Sequence, residues 1–307
     1  MTDQHQGCEP IFGVVHSAPD ADLPQHACDC HVHVFGDTAR YPFDPNRAHT
    51  PRTASVAQLQ QHQKALGFSR VVLVQPSPYG TDNRCMMDAL AMIGPNARGV
   101  GVIDPATVSD EALIDMHAAG VRGVRVNLET FGKNDPVAAG EVLQAVSARV
   151  AGLGWHVQTY TNLSVIAPLH RLISNLPTPL VVDHFGKAMA NLGPHQPGFE
   201  VLLSLLREGK VWVKLSGAHR ISSLPEFSDV KPMVDALLDA NADQLIWGSD
   251  WPHTGAWPGI PLTRDVFNEF HPIDDGIAAN RLRRWLGDTG YQRRVLADNP
   301  ARLYDFD

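Results

Sequence analysis

Four side chains define the chemistry this sequence could perform. His31 and His33 stand one residue apart at the end of the apolar run that begins at Ala27. His184 follows the run Leu180-Val181-Val182-Asp183, and Asp250 stands just past the last apolar run, Leu245-Ile246-Trp247-Gly248. Imidazoles and carboxylates bind zinc or move protons near neutral pH. A solitary histidine at such a place is more often a satisfied core residue. Two at i, i+2, joined by a third histidine and an aspartate at other strand ends, favour a reactive centre. Arg125 and Arg220 add guanidinium forks, which match a carboxylate. A base beside a water, with donors where an oxyanion forms, is the equipment of ester hydrolysis. Fixed arginines next to it imply an anionic substrate.

These residues need a scaffold that gathers distant strand ends. Short apolar runs, rich in valine and lacking polar alternation, recur near residues 27–35, 70–75, 98–103, 121–127, 155–159, 180–183, 211–215 and 245–248. Such runs suit a parallel sheet buried on both faces. Helical patterns separate them, at 53–66, from 82, at 109–118, 136–151, 164–175, 197–208 and 226–240, with further helical stretches expected at 261–270 and 276–297. Thr53 or Ser55 would cap the first of these. Eight βα units over this length give a single (β/α)8 TIM barrel spanning 25–307, preceded by an irregular arm, 1–24. An open doubly wound sheet is the alternative, but no GxGxxG follows the first strand.

A barrel places its active site at the C-terminal strand ends. Those ends offer His31 and His33; Gln75, Ser77 and Tyr79; Arg125 and Asn127; Gln158 and Tyr160; Asp183 and His184; Lys214, Ser216, His219 and Arg220; and Asp250 with His253 beyond. Strict alternation puts Asp29, His31 and His33 on one face. Cys28, Cys30, Val32 and Val34 would then face the helices. Arg122, of opposite parity to Arg125, is expected to pair with a carboxylate among the helices, and Lys214 to form a structural ion pair. His62, His117, His170 and His195 are expected to be solvated.

Composition narrows the partners. The formal net charge of the 307 residues is −8, which argues against a phosphate backbone as ligand. No apolar run approaches the ~20 residues that span a membrane. Four scattered cysteines, Cys8, Cys28, Cys30 and Cys85, make no disulfide framework. The polar N-terminus lacks the pattern of a signal peptide, so a cytoplasmic monomer or small homo-oligomer is expected.

The ordered motifs DCHVHVFG (29–36), VQPSPYGTDN (74–83), GVRGVRVN (120–127), VVDHFGK (181–187), KLSGAHR (214–220), WGSDWPH (247–253) and NPARLYDF (299–306) resemble the amidohydrolase superfamily. More closely, they resemble its branch of 2-pyrone-4,6-dicarboxylate lactonase-like hydrolases. The resemblance implies hydrolysis of the lactone of a small carboxylated organic or sugar acid, with Asp250 as general base. It implies that His31, His33 and His184 surround the scissile carbonyl, binding a metal or polarising the oxygen directly. Arg125, Tyr160 and Arg220 would hold substrate carboxylate or hydroxyl groups, with Ser77, Asn127 and His253 as further substrate contacts and Thr81-Asp82-Asn83 lining the pocket. The cofactor implied is none or one divalent ion, zinc first, on His31, His33, His184 and Asp250. A binuclear site is disfavoured, because His156 falls early in its strand and the 121–127 strand offers no bridging lysine. The stretch Leu128-Glu129-Thr130-Phe131-Gly132 carries an acid where the pyrone dicarboxylate enzyme carries a further basic residue. A mono-acid or sugar-acid lactone therefore fits better. A lactone isomerase or decarboxylase on the same scaffold, and a non-catalytic metabolite-binding barrel, are the alternatives.

Overall fold

The protein is described by a computed structural model covering residues 12–130, 132, 134–255 and 262–307. The first eleven residues, Cys8 among them, and Phe131, Lys133 and Trp257 lie outside the described residues. Eight short strands form one parallel sheet in sequence order: β1 Cys28–Val32, β2 Arg70–Val74, β3 Ala97–Gly101, β4 Val121–Asn127, β5 His156–Tyr160, β6 Leu180–Val182, β7 Val211–Lys214 and β8 Leu245–Ile246. The chain beyond β8 closes the ring on β1. Cys30 N donates to Trp247 O at 2.9 Å, Asp250 N to His31 O at 2.9 Å and His33 N to Trp251 O at 2.8 Å. The expected (β/α)8 barrel is therefore what the sequence builds.

Closure depends on a glycine. A Cβ at Gly248 would stand 2.5 Å from His31 Cβ and 2.6 Å from His31 N, so only a residue without a side chain lets the last strand touch the first.

One expectation about β1 is overturned. Its pairing with β2 slips between Asp29 and Val32, and such an irregularity breaks side-chain alternation. Cys28 and Cys30 turn inward, packing with Val72, Val74, Val100, Val181, Trp212 and Ile246 at the barrel floor. Tyr304 and Phe306 plug that floor from the C-terminal helix. His31 follows Cys30 into the interior, whereas Val32 and Val34 join the core beneath the helices.

The helices begin where the capping chemistry says they should. α1, Val56–Leu66, opens on Ser55, whose hydroxyl accepts from Gln58 N while the Gln58 side chain accepts from Ser55 N. It ends at Gly67 with φ 83°. α2 is Arg84–Ile93, α3 Asp110–Ala118 and α4 Pro136–Val150. The helix expected at 164–175 is broken into α5, Leu163–Ile166, and α6, His170–Ser174, by a tight turn holding Pro168. α7 is Phe199–Arg207, α8 Lys231–Asn241, α9 Asp275–Leu286, α10 Thr289–Arg293 and α11 Asn299–Tyr304.

The stretch expected to be helical at 261–270 is not, within its described part: Phe267–Asn268 pairs in parallel with Thr50–Pro51. Arg122 finds its carboxylate on Asp305, at 3.1 Å, below the barrel. His62, expected in solvent, is fully buried on the inner side of α1. The irregular arm is tied down where it passes α9. Ser17 donates through its backbone and hydroxyl to Asp274, and a Cβ at Gly276 would meet Ser17 O. No helix of the described residues is long and apolar enough to cross a membrane.

Candidate active site

Strand ends place the reactive groups around one cavity of about 270 Å³ at the C-terminal mouth of the barrel. His33, Ser77, Arg125, Asn127, Tyr160, His184, Arg220 and Asp250 all line it. His31 lies just beneath. At the centre is the Asp250 carboxylate. Its Oδ1 faces three imidazole nitrogens: Nε2 of His31 at 3.7 Å, of His33 at 3.8 Å and of His184 at 3.8 Å. Its Oδ2 accepts two hydrogen bonds from Arg220, from Nε at 3.0 Å and Nη2 at 2.6 Å.

The outer nitrogen of His33 fixes its inner one. His33 Nδ1 donates to the carbonyl of Val74 at 2.7 Å. A carbonyl only accepts, so the proton sits on Nδ1 and the Nε2 lone pair points at Asp250. His184 Nδ1 meets the Ser216 hydroxyl at 2.8 Å. Gly217 gives that ring room, since a Cβ there would come within 2.8 Å of His184 Nδ1. His31 Nδ1 lies 3.4 Å from Asp183 Oδ1 and 3.4 Å from Lys214 Nζ, while its Nε2 has no hydrogen-bond partner.

Beneath His31 a buried charge network sets the floor of the site. Lys214, fully buried, lies 3.6 Å from Asp183 and donates to Gln158 Oε1 at 2.7 Å and Cys30 O at 2.9 Å. Asp183 also accepts from Gln158 at 3.0 Å and lies 3.5 Å from Arg125 Nη2. The ion pair expected of Lys214 is thus present, inside the barrel.

Electrostatics follow from burial and these partners. Burial lowers His33 and His184 to about 4, and it lowers His31 well below the usual imidazole range, with Lys214 adding to the effect. Burial alone would raise Asp250, but Arg220 and the imidazoles outweigh it and hold the carboxyl well below its usual range. At neutral pH the centre is therefore an ionised carboxylate facing neutral rings. Asp250 and His184 both adopt left-handed backbone, φ 70° and 51°, strain of the sort that collects at functional sites.

The His33 lone pair and the Asp250 carboxylate, acceptors facing each other without a proton between them, suit a cation. His31, His33 and Asp250 each offer a ligand atom, all within 4.8 Å of one another; His184 groups in the same way with His31 and Asp183, and its Nε2 lies 3.8 Å from Asp250 Oδ1. This donor set fits one divalent ion of zinc type. His156 stays deep, its ring 5.2 Å from that of Tyr304.

Two expected contacts are not brought to the cavity. His253 turns away from the lining, and its Nε2 bonds Asp275 Oδ2 at 2.9 Å. Its backbone, at φ 67°, sends the side chain behind the site. Of Thr81-Asp82-Asn83, Asn83 ties down the Thr81 and Val102 carbonyls and Asp82 pairs with Arg84. The cavity instead gains His49, Thr130, Lys187 and Thr254. Lys187 lies within the VVDHFGK motif and could have been singled out there. His49 and Thr254 come from loops with no periodicity to announce them.

A protein-family model described as Amidohydrolase matches residues 28–306. The chain belongs to the amidohydrolase family. This amidohydrolase is 36% identical, over 94% of its own length and 93% of the relative's, to a 2-pyrone-4,6-dicarboxylate hydrolase of Comamonas testosteroni. It is 34% identical to a 4-sulfomuconolactone hydrolase of Rhizobium radiobacter, covering 92% and 91% of the two chains. Among solved structures it resembles a "probable 2-pyrone-4,6-dicarboxylic acid hydrolase" from Acinetobacter baumannii with citric acid bound. That match has TM-score 0.77 and 27% identity and covers 92% of this chain and 100% of that one.

Proposed function

We propose that this amidohydrolase opens the lactone of a small carboxylated organic or sugar acid by adding water across the ring ester bond. One observation carries the reading: Asp250 Oδ1 faces three neutral imidazoles at 3.7–3.8 Å while Arg220 holds its other oxygen. A water at that junction would meet a proton acceptor on one side and ring nitrogens on the others. The Arg125 guanidinium on the adjoining wall supplies a fork for a substrate carboxylate, which positions the ring carbonyl over the water.

Arg220 makes Asp250 ionised but weakly basic. Its task is then to orient the water and take its proton as the new C–O bond forms, when the attacking oxygen becomes acidic. Cleavage of the ring C–O bond releases the second oxygen, and the proton held at Asp250 returns to it or leaves to solvent. The product carries one more acid group than the lactone. His31, His33, His184 and Asp250 would hold one divalent ion, which when bound polarises the carbonyl and acidifies water. Tyr160 and Ser77, on the cavity wall, are donors within the same space.

A pH-indicator assay across a panel of carboxylated lactones tests this reading. Hydrolysis releases a proton per turnover, whereas isomerisation of the ring does not. A panel in which lactones are consumed without acid release, or none is consumed, removes it.

A further inference from the structure

The charges on the cavity wall select among lactones. Among the described residues the wall carries the cations Arg125, Lys187 and Arg220 and the anions Glu129 and Asp250. Arg220 is matched by Asp250 at 2.6 Å. Lys187 is matched by Glu129, in direct contact. Beneath the wall Lys214 lies 3.6 Å from Asp183, and in the adjoining recess of about 160 Å³ Arg47 spends its guanidinium on the Thr50 hydroxyl and on the Asp44 and Arg264 carbonyls. Arg125 shares the Asp183 carboxylate with Lys214, its Nη2 3.5 Å from Asp183, so two cations face one anion there, and its Nε lacks a hydrogen-bond partner.

We propose that the Lys187–Glu129 pair is a specificity filter that restricts the cavity to lactones bearing a single acid group. Arg125 takes that group. A second anionic group would approach Lys187 and meet Glu129 equally close, so attraction and repulsion offset while its lost hydration goes unreturned. Glu129 is fixed in place. The amides of Leu128 and Glu129 both donate to Tyr160 O, at 3.1 and 3.0 Å, and Asn162 Nδ2 reaches Glu129 Oε2 at 3.4 Å. Lys187 is aimed at it by a run of four successive left-handed residues, His184 to Lys187, at φ 51°, 57°, 62° and 52°. The pair is only partly exposed, 26% for Lys187 and 21% for Glu129, so solvent does not fully screen it. Both relatives described above are named for lactones that carry two acid groups; the filter would set this chain apart from them.

The inference rests on the lactone reading only for its turnover probes. Those are matched pairs differing by one charge: 2-pyrone-4,6-dicarboxylate against the pyrone monocarboxylates, and 4-sulfomuconolactone against the same lactone without its sulfonate. Benzoate and benzene-1,3-dicarboxylate, which have no lactone to open, are titrated by calorimetry as binding probes. The wild-type protein is expected to favour the singly charged member by about tenfold in both readouts. Glu129→Gln should free Lys187 and raise affinity for the doubly charged member about tenfold, closing or inverting the gap. Lys187→Gln should widen it, and the double substitution should restore the wild-type ratio, because it removes opposite charges together. An unchanged ratio in both single variants, or a wild-type preference for the doubly charged probes, overturns the filter. Expected binding ratios without opening of any lactone would overturn the lactone reading and leave the filter standing.

Discussion

Two clusters of the same composition, three histidines and an aspartate, flank the seam where β8 meets β1. One faces the cavity: His31, His33, His184 and Asp250. The other lies behind it, between the barrel and α1 and α9: His16, His62, His253 and Asp275. They differ in where the protons are. In the rear cluster Asp275 Oδ2 accepts from His62 Nε2 at 2.8 Å and from His253 Nε2 at 2.9 Å, and Asp275 N donates to His16 Nδ1 at 3.1 Å. In the front cluster each inner nitrogen stands 3.7 or 3.8 Å from the carboxylate, and at His33 a lone pair faces it. Burial opposes charge on His253, yet Asp275 outweighs it and raises that pKa. With no such donor-to-carboxylate bond, burial brings His33 and His184 down to about 4. Residue type and proximity are thus poor guides to function. A cluster whose donors are already spent on its own acceptor holds the fold, and one whose acceptors face each other is open to water, a cation or a substrate.

The comparison breaks most visibly at the two aspartates. Asp250→Asn keeps the shape and removes the proton acceptor, so kcat should fall by about 10²–10⁴ while the protein stays folded by circular dichroism. Retained turnover would mean that the water is activated elsewhere. The metal reading ranks next. Zinc titrated into chelator-treated protein is expected to bind once per chain at the front. His33→Gln should weaken that binding at least about 100-fold, and His62→Gln should leave it unchanged. Loss on His62→Gln instead would move the cation to the rear cluster.

Asp275→Asn is the rear counterpart. It leaves buried imidazoles without their carboxylate, and urea unfolding should show a loss of about 3–5 kcal/mol. The kcat of the folded fraction should change only a few-fold. A full catalytic defect in a stable Asp275→Asn protein would erase the distinction between the clusters.

The rear cluster also has its own pH signature. Burial pushes Asp275 up, but His253 and His62 outweigh it and hold it below the usual carboxylate range. Its contribution is therefore present above the unfolded carboxylate pKa and is lost as pH falls. His253 is raised, so its contribution is complete below the unfolded imidazole value and is lost as pH rises through the folded one. The stability difference between wild type and His253→Gln should be largest near pH 5–6 and shrink towards pH 9. A difference that is flat with pH would mean that the His253–Asp275 pair carries no charge.

Much of this was legible in the sequence because the barrel repeats a simple rule. Short apolar runs, each followed by a helix pattern, gave the strand order, and the polar residue ending each run fell at the mouth. Asp250, His33, His184 and Arg125 share a cavity, with His31 just beneath it, for that reason. Alternation failed at β1, where the slip between Asp29 and Val32 lets Cys30 and His31 both turn inward; period-two counting assumes a regular ladder. His253 was misplaced by a single torsion, since its left-handed backbone sends behind the site a side chain that spacing alone would put at the mouth. His62 looked like a surface histidine because α1 is polar on average, but its partner Asp275 arrives from 213 positions away. Lys187 shares a motif with His184, yet nothing local shows that Glu129 meets it.

His253 supplies the smallest and most selective test. It contacts the site in one way only among the described bonds: its backbone N donates to Asp250 O at 2.8 Å. That bond survives any side-chain change that keeps the φ of 67°. Glutamine retains a donor for Asp275 and adds nothing to the cavity, so KM should stay within about twofold of wild type. kcat should drop a few-fold at most, through small displacements of Asp250. A tenfold rise in KM with kcat unchanged would show that the ring does reach bound substrate, and would return His253 to the front cluster from which its observed rotation removes it.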